Sequence, residues 1–367
     1  MYIWTRADWP DFTWDDGALI EPLATARLRQ GRLLGRMQGL GFDLQLEAQL
    51  QALTEDVLKS SEIEGDLLDH RSVRSSLARR LGIPEAATTP ADRRTEGVVE
   101  MMLDATRNFD QPLTAPRLFG WQAALFPTGY SGMAKVRTGG WRDDANGPMQ
   151  VVSGAIGREH VHYQAPPAAG LPAEMSAFLD WFAAPPATDG LLRAGLAHLW
   201  FVTIHPFEDG NGRIARAIAD QALAQSEGAP QRFYSMSSQI RRERADYYTI
   251  LEQTQAGGLD VTAWLQWFLA CFTRAVSGAE TSSSSVLRKA EFWRSHERIE
   301  LSERQRSILN RFLDGFDGHL TARKWAVLGK CSPASAQRDI ADLIDKGVLA
   351  RNPGGSKNTS YALVSGR

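Results

Sequence analysis

The sequence predicts a mainly α-helical fold with one β-hairpin near its middle and a small helix-and-strand module at its C-terminus. Three observations carry this reading. Leucine and alanine recur at helical spacing through most of the first 300 residues. Within that region the one clear strand signal is a pair of β-prone runs, Met149-Gln-Val-Val-Ser-Gly154 and Arg158-Glu-His-Val-His-Tyr163, flanking a glycine-bounded turn. From about residue 300 the composition shifts: residues 300–367 hold eleven Lys/Arg against seven Asp/Glu, a balance of about +4, while the rest of the chain is about −6.

The 367 residues are enough for two or three domains, and 43% hydrophobic with 23% charged residues is ordinary for a globular protein. A net charge of −2 argues against bulk attraction to nucleic acid or membrane. No run approaches the roughly 20 apolar residues needed to span a bilayer. No basic segment followed by an apolar core opens the chain, so no secretory leader is expected. Two cysteines far apart in sequence, Cys271 and Cys331, show no metal-ligand spacing and fit a reducing cytoplasm. Cys271 is expected in the core.

Taken in order, residues 1–17 carry Trp4, Trp9, Phe12 and Trp14, which are expected to cover the helices that follow. Residues 18–40 read as an amphipathic helix that Gly39, Gly41 and Asp43 stop and restart. In the second helix Leu46, Leu50, Leu53 and Val57 form a stripe that continues to Ser60, Ser61 and Glu64, and Gly65 ends it. An apolar stripe that turns to Ser and Glu offers a carboxylate to the protein interior. Residues 69–110 are predicted helical, broken near Gly82-Ile-Pro84 and Thr88-Thr-Pro-Ala, with a helix at 93–107. Residues 128–172 are Gly- and Pro-rich and hold the hairpin, whose turn is placed at Gly154-Ala-Ile-Gly157. His160 and His162 alternate on one strand face. With no third ligand nearby in sequence they read as surface residues.

Helices at 175–182 and 191–204 lead into His205-Pro-Phe-Glu-Asp-Gly-Asn-Gly-Arg-Ile-Ala-Arg216. The residues before this stretch are apolar on nearly every side, and those after it form helix well. The stretch is therefore a tight loop whose Gly-rich part opens the second helix. Free amides at that helix start form an anion cradle. Arg213 and Arg216, three apart, share a helix face and suit a polyphosphate. Asp209 can hold a divalent ion between phosphates. His205, at the mouth of the loop, can take a proton from a hydroxyl. Beyond it, the adjacent Tyr247 and Tyr248 cannot share a helix face, so one is buried and the other turns to a cleft. Residues 262–272 are apolar enough for the last core helix, and Thr281-Ser-Ser-Ser-Ser285 marks a boundary or irregularity.

His205-Pro-Phe-x-Asp-Gly-Asn-Gly-Arg-x-x-Arg216 resembles the signature of the Fic family at all nine specified positions. The resemblance implies an α-helical core that transfers AMP from ATP to a protein hydroxyl. Carried over by position, His205 is the general base and Asp209 binds Mg²⁺. Gly210, Asn211 and Gly212 hold phosphates, and Arg213 and Arg216 grip the β- and γ-phosphates. Ser60-x-x-x-Glu64-Gly65 resembles the family's inhibitory motif, in which the glutamate binds the second arginine, here Arg216. Ser60 is expected to hydrogen-bond the Glu64 carboxylate across one turn. The hairpin resembles the family's flap, so Met149, Gln150, Val151, Val152, Ser153 and Gly154 are the stretch expected to pair with a target peptide by strand addition. Similar proteins place a tyrosine near the adenine, here Tyr248. A homodimer is implied by resemblance alone.

In the last region the order is helix 303–313, helix 321–328, helix 332–346 capped by Gly347, then strands at 348–351 and 359–363. This resembles a winged helix-turn-helix, with Ser335, Gln337 and Arg338 presented to a groove and Arg351 and Lys357 to phosphates. Asp339, Asp342 and Asp345 on the same helix and the absence of a dense basic patch weaken DNA binding. The expected organisation is an N-terminal regulatory region (1–91), a catalytic core (92–275), a connecting helix or linker (276–299) and the winged helix (300–367). The leading functional reading is an adenylyltransferase restrained by Glu64. Its alternatives are removal of AMP by water that Glu64 positions, and a nucleotide-sensing DNA-binding regulator.

Overall fold

The structure, a computed structural model, describes residues 1–83, 89–154, 158, 160–282, 284–313, 319–353 and 359–364, with backbone alone at 282 and 284–288. The chain divides into two compact units, one of residues 1–37 and 49–279 and the other of 38–48 and 280–367.

The chain opens with α1 (Asp16–Gln38), α2 (Phe42–Ile63) and α3 (His70–Leu81), followed by α4 (Arg93–Arg107) and α5 (Ala115–Leu125). Gly65 ends the α2 segment at φ 85°. The side chain of Asp92 caps α4 by accepting from the Thr95 amide at 2.7 Å. Helix α5 is absent from the sequence reading, although Thr114 caps it and Pro116 stands in its first turn, the usual marks of a helix start.

Two hairpins follow. The first pairs β1 (Tyr130–Ser131) with β2 (Ala134–Lys135), and the second pairs β3 (Gln150–Ser153) with β4 (His160–Gln164). The second is the expected hairpin, and its turn at 155–157 lies outside the described residues. The first corrects the expectation of a single strand signal before residue 300. Its strands are two residues long, too short for any alternation to register, and Gly132 at φ 56° makes the turn. The β3–β4 sheet has two strands, so the outer edge of β3 carries no strand partner among the described residues.

The unit continues through α6 (Leu171–Ala183), α7 (Gly190–Ile204), α8 (Asn211–Glu227), α9 (Met236–Arg242), α10 (Arg244–Gln255) and α11 (Thr262–Ser282). Helices α7 and α8 form the centre. Every residue of α7 from Leu191 onward is buried, which accounts for its lack of a polar face. Helix α8 meets it with the small residues Ala215, Ala217, Ala219 and Ala222, which let two backbones approach closely. Cys271 is buried in α11, as expected. The N-terminal aromatics pack on later helices of the chain: Trp9 donates to Glu174 of α6 at 2.9 Å, Trp9 and Phe12 meet the Trp200 ring of α7 edge-on at 6.2 and 5.8 Å, and Trp14 donates to Asp16 at the start of α1 at 2.8 Å.

The second unit holds α12 (Ser284–Ser295), α13 (Glu303–Leu313), β5 (Leu320–Thr321), α14 (Ala322–Leu328), α15 (Pro333–Asp345), β6 (Leu349–Arg351) and β7 (Ser360–Leu363). Its sheet runs β5-β7-β6, all antiparallel. The two-residue strand β5 is the one element the sequence reading lacks. Trp325, Leu309 and Leu343 centre its core. Asp339 turns inward, taking a two-pronged bond from Arg304 at 2.8 Å and one from Trp325 Nε1 at 3.0 Å. Those bonds hold its carboxyl below the usual aspartate range. Gln337 and Arg338 are exposed on α15 and Ser335 is half-buried, while Lys357 lies outside the described residues. Among the described residues no helix is long and apolar enough to cross a membrane.

Candidate active site

The site forms where α7 ends and α8 begins. His205 is the C-cap of α7 with φ 51° and ψ 58°, a left-handed conformation that non-glycine residues adopt at a cost of about 1–3 kcal/mol. That turn swings the imidazole out of the helix path. Its Nδ1 lies 3.1 Å from the Val202 carbonyl oxygen. A carbonyl only accepts, so Nδ1 carries the proton and Nε2 keeps its lone pair. Enclosure by the chain pushes the His205 pKa down to about 4, so the ring is neutral at pH 7.

The loop after His205 is braced from both sides. Phe207 is fully buried. Asn211 returns two hydrogen bonds to it, Oδ1 accepting from the Phe207 amide at 3.0 Å and Nδ2 donating to its carbonyl at 2.7 Å. The Asn211 side chain therefore shapes the loop, and its own amide is what remains for a ligand. Gly210 takes φ 89° at the N-cap of α8, and no side chain caps that helix. The first-turn amides of α8 thus lack intrahelical acceptors and point into the cleft.

Sequence reasoning missed Arg142, which pins this loop. Its side chain is buried; Nε donates to the His205 carbonyl at 2.8 Å, a terminal nitrogen donates to the Pro166 carbonyl at 2.5 Å, and the other pairs with Asp144 at 2.9 Å. Its own amide donates to the Pro206 carbonyl at 2.9 Å. Nothing in the local sequence marks it out, because the two carbonyls its side chain holds lie 24 and 63 residues away.

Asp209 stands at the mouth of the cleft, its side chain 41% exposed. Its Oδ2 accepts from Ser131 on the β1–β2 hairpin at 2.5 Å and its Oδ1 from the Gly210 amide at 2.6 Å. Ser131 is a second residue absent from the sequence reading. An accessible carboxylate with its orientation fixed in this way fits a Mg²⁺ ion shared with substrate phosphates, which asks for one or two protein carboxylates.

Both signature arginines are buried and both meet the end of the α2 segment. Arg216 donates to Glu64 Oε1 at 2.7 Å, to the Ser60 carbonyl at 2.8 Å and, through Nε, to the Ser60 hydroxyl at 3.0 Å. The bond expected between Ser60 and Glu64 is replaced by this shared guanidinium: Arg216 offers several donors, and the Ser60 hydroxyl accepts one of them. Burial would lower the Arg216 pKa, but the Glu64 carboxylate outweighs it and the pKa is raised. Arg213 pairs with Asp66 at 2.8 Å and lies over the Phe126 ring at 5.1 Å. Asp66 also pairs with Arg94. Asp66, two residues past Glu64, went unnoticed because the motif pattern stops at Gly65.

Glu64, residues 149–153, His205, residues 208–212, Tyr247 and Tyr248 line one cleft of about 590 Å³. The tyrosines divide as the sequence predicts. Tyr247 is buried and its hydroxyl is 2.8 Å from His198 Nε2, whereas Tyr248 is 37% exposed and lies under Arg244 at 5.2 Å. His162 and Glu252 stand at the rim. Glu252 is the third potential ligand that sequence proximity hid, since it comes from α10, 90 residues on.

Fold and site together define a helical protein in which a neutral imidazole faces an anion cradle across one short loop. A profile described as Fic/DOC family matches residues 112–223, and one described as Domain of unknown function (DUF4172) matches residues 2–83. Over 115 residues the chain is 32% identical to Protein adenylyltransferase Fic of Nematostella vectensis, covering 30% of this chain and 25% of that protein. Over 120 residues it is 30% identical to Protein adenylyltransferase fic-1 of Caenorhabditis elegans, covering 32% and 22%. The chain thus spans about a quarter of the curated relatives it matches. Its fold is similar to that of a Fic family protein from Desulfovibrio desulfuricans G20, with a TM-score of 0.59 and 20% identity over 97% of this chain and 98% of the other. The Fic/DOC match, residues 112–223, contains the whole loop from His205 to Arg216 that builds this site.

Proposed function

We propose that the chain is a protein adenylyltransferase that moves AMP from ATP to a Ser, Thr or Tyr hydroxyl of a target protein, and that Glu64 restrains it. The observation that carries this reading is the facing pair of His205 Nε2, unprotonated, and the uncapped start of α8, both on the wall of one cleft. Nε2 takes the proton of the target hydroxyl as its oxygen bonds to the α-phosphorus, and pyrophosphate leaves with the electron pair of the broken P–O bond. The first-turn amides, Arg213 and Arg216 stabilise the charge of the departing group. Asp209 is the residue that would hold Mg²⁺, which supplies neutralisation of the phosphates when bound. Tyr248, exposed in the cleft, is the surface for the adenine. The open edge of β3 is the docking strand for the target, aligning a hydroxyl by main-chain pairing.

The restraint follows from place. A Cβ built on Gly212 would lie 2.2 Å from Glu64 Oε1 and 3.3 Å from an Arg216 nitrogen. The carboxylate therefore sits directly over the cradle and satisfies the arginine that a γ-phosphate needs. With the γ-phosphate displaced, the α-phosphate is misaligned for in-line attack. Glu64 and His205 line the same cleft, which supports a second reading in which Glu64 positions water to remove AMP from a modified target.

The C-terminal unit fits a winged helix, with α15 as its exposed helix. Asp339 turns inward, while Gln337, Arg338 and Asp345 are exposed on α15. The two cysteines of the whole chain, Cys271 and Cys331, are free, in keeping with a reducing cytoplasm.

The test is incubation with labelled ATP and Mg²⁺, comparing wild type, Glu64→Gly and His205→Ala. The expected result is weak, strong and absent label on protein. Label that persists in His205→Ala overturns the assignment of the base. Loss of label from a premodified target, dependent on Glu64, would favour the reverse reaction.

A further inference from the structure

The flap carries a cluster that the transfer reaction does not use. His160 and His162 project from the same face of β4, their rings edge to face with centroids 4.6 Å apart. From α10, Glu252 reaches toward both: Oε2 is 2.9 Å from His162 Nδ1 and Oε1 is 4.0 Å from His160 Nε2. One donor atom from each of the three lies within 4.8 Å of the other two. Ligands around a tetrahedral ion with bonds of about 2.0 Å stand about 3.3 Å apart. The two carboxylate-to-ring distances, 2.9 Å to Oε2 and 4.0 Å to Oε1, bracket that value.

Two features separate this cluster from an ordinary surface hydrogen bond. The His162–Glu252 bond is complete without His160, whose Nε2 nevertheless stands 4.0 Å from the same carboxylate, too far for a hydrogen bond. The second ring nitrogen of His162, Nε2, is 2.6 Å from Ser153 Oγ on β3. A metal-bound imidazole commonly donates its remaining N–H to such a partner, which fixes the ring and its tautomer.

We propose that His160 Nε2, His162 Nδ1 and the Glu252 carboxylate form a transition-metal site, and that zinc is the ion they take. Two imidazoles with one carboxylate suit Zn²⁺, whereas a lone carboxylate such as Asp209 beside substrate phosphates suits Mg²⁺, so the two sites select different ions. In the free protein the Nδ1 proton of His162 faces Glu252. When the metal takes the Nδ1 lone pair, the proton resides on Nε2 and is donated to Ser153, with no net loss from the ring. The fourth position of the ion is left to solvent, because the His160 side chain is 70% exposed. The ion joins β4 to α10 and holds the flap at the rim of the cleft that Ser153, His162 and Glu252 line.

The test uses the full chain without an affinity tag, stripped with chelator and titrated with zinc chloride alone by calorimetry. A parallel titration with cobalt chloride is followed by visible absorption. Wild type is expected to bind one equivalent with the intense bands of four-coordinate cobalt. His160→Ala, His162→Ala and Glu252→Gln should each weaken zinc at least tenfold, with unchanged circular dichroism in the absence of metal. Amide exchange in residues 150–153 and 160–164 should slow on adding zinc to wild type and stay unchanged in the triple variant. Failure of wild type to bind stoichiometric zinc overturns the proposal, and so does undiminished binding by the triple variant.

Discussion

The Glu64 carboxylate lies 2.7 Å from Arg216 and closes over the backbone of Gly212, so an acidic side chain from one segment occupies the anion cradle formed by another. Glu64→Gly should therefore open the cradle and leave Arg216 attached to Ser60 through its two remaining bonds. The expected gain in protein labelling is on the order of 100-fold, the scale of rate lost to a misplacement of about 1 Å. Initial rates at saturating labelled ATP measure it. Equal rates in the two proteins would remove Glu64 from any regulatory role.

Gly212 offers a check on the same contact that needs no substrate. A methyl group there meets the end of the Glu64 side chain before anything else. Gly212→Ala should cost about 1–2 kcal/mol in the wild-type background, because it drives Glu64 off a buried arginine. In the Glu64→Gly background the same change should be neutral or stabilising by up to about 1 kcal/mol, as is usual for Gly→Ala at an ordinary helical position. Thermal unfolding of the four proteins closes the cycle. A cost that is the same in both backgrounds would show that the two residues do not touch.

The expected parts of this site were those fixed by local chemistry. The loop from His205 to Arg216 is contiguous, so its helix-loop-helix form and its cradle follow from residue order alone. The carboxylate was legible because an apolar stripe ended in Glu64, and its partner Arg216 was expected from the resemblance of Ser60-x-x-x-Glu64-Gly65 to an inhibitory motif. Arg142, Ser131, Asp66 and Glu252 escaped because each acts through a partner that is distant in sequence, and an arginine or aspartate in a Gly-rich or acidic run carries no periodic signature. The same limit hid β1, β2 and β5. Strands of two residues exist by virtue of their tertiary partners, and no alternation can register over such a length.

His198, fully buried, and His205, partly exposed on the cleft wall, set the response to acid. His198 is pushed down to about 3 by burial and then by Arg216, and His205 down to about 4 by burial. In the unfolded chain both titrate near 6.5, so the unfolded state binds protons first and stability falls as pH drops below 6.5. For His198 alone the loss by pH 5 is about 2 kcal/mol, and it continues until the folded-state pKa is reached. Urea unfolding at pH 7 and pH 5 should show this drop, and His198→Gln should shrink it by about that amount. The labelling rate of Glu64→Gly should stay level through this range and fall only as pH approaches 4, where His205 gains its proton. A rate that halves near pH 6.5 instead would mean that the ring is solvated and ordinary.

Arg142 tests whether loop backbone, rather than side chain alone, positions the base. Its guanidinium joins the His205 carbonyl to the Pro166 carbonyl and Asp144, and none of these atoms belongs to the cradle. Removing it leaves two buried carbonyls without a charged donor, a cost of about 2–3 kcal/mol in stability. It also frees the left-handed turn at His205 to relax, which moves Nε2 while the first turn of α8 stays braced by Asn211. In the Glu64→Gly background, Arg142→Ala should therefore lower the maximal labelling rate by about 100-fold and change ATP affinity by less than about threefold. Lysine at this position should recover little, because a single ammonium cannot serve three acceptors held in a plane. Calorimetric ATP binding alongside labelling kinetics separates the two effects. A parallel loss of affinity and rate would place Arg142 with the cradle instead of with the base.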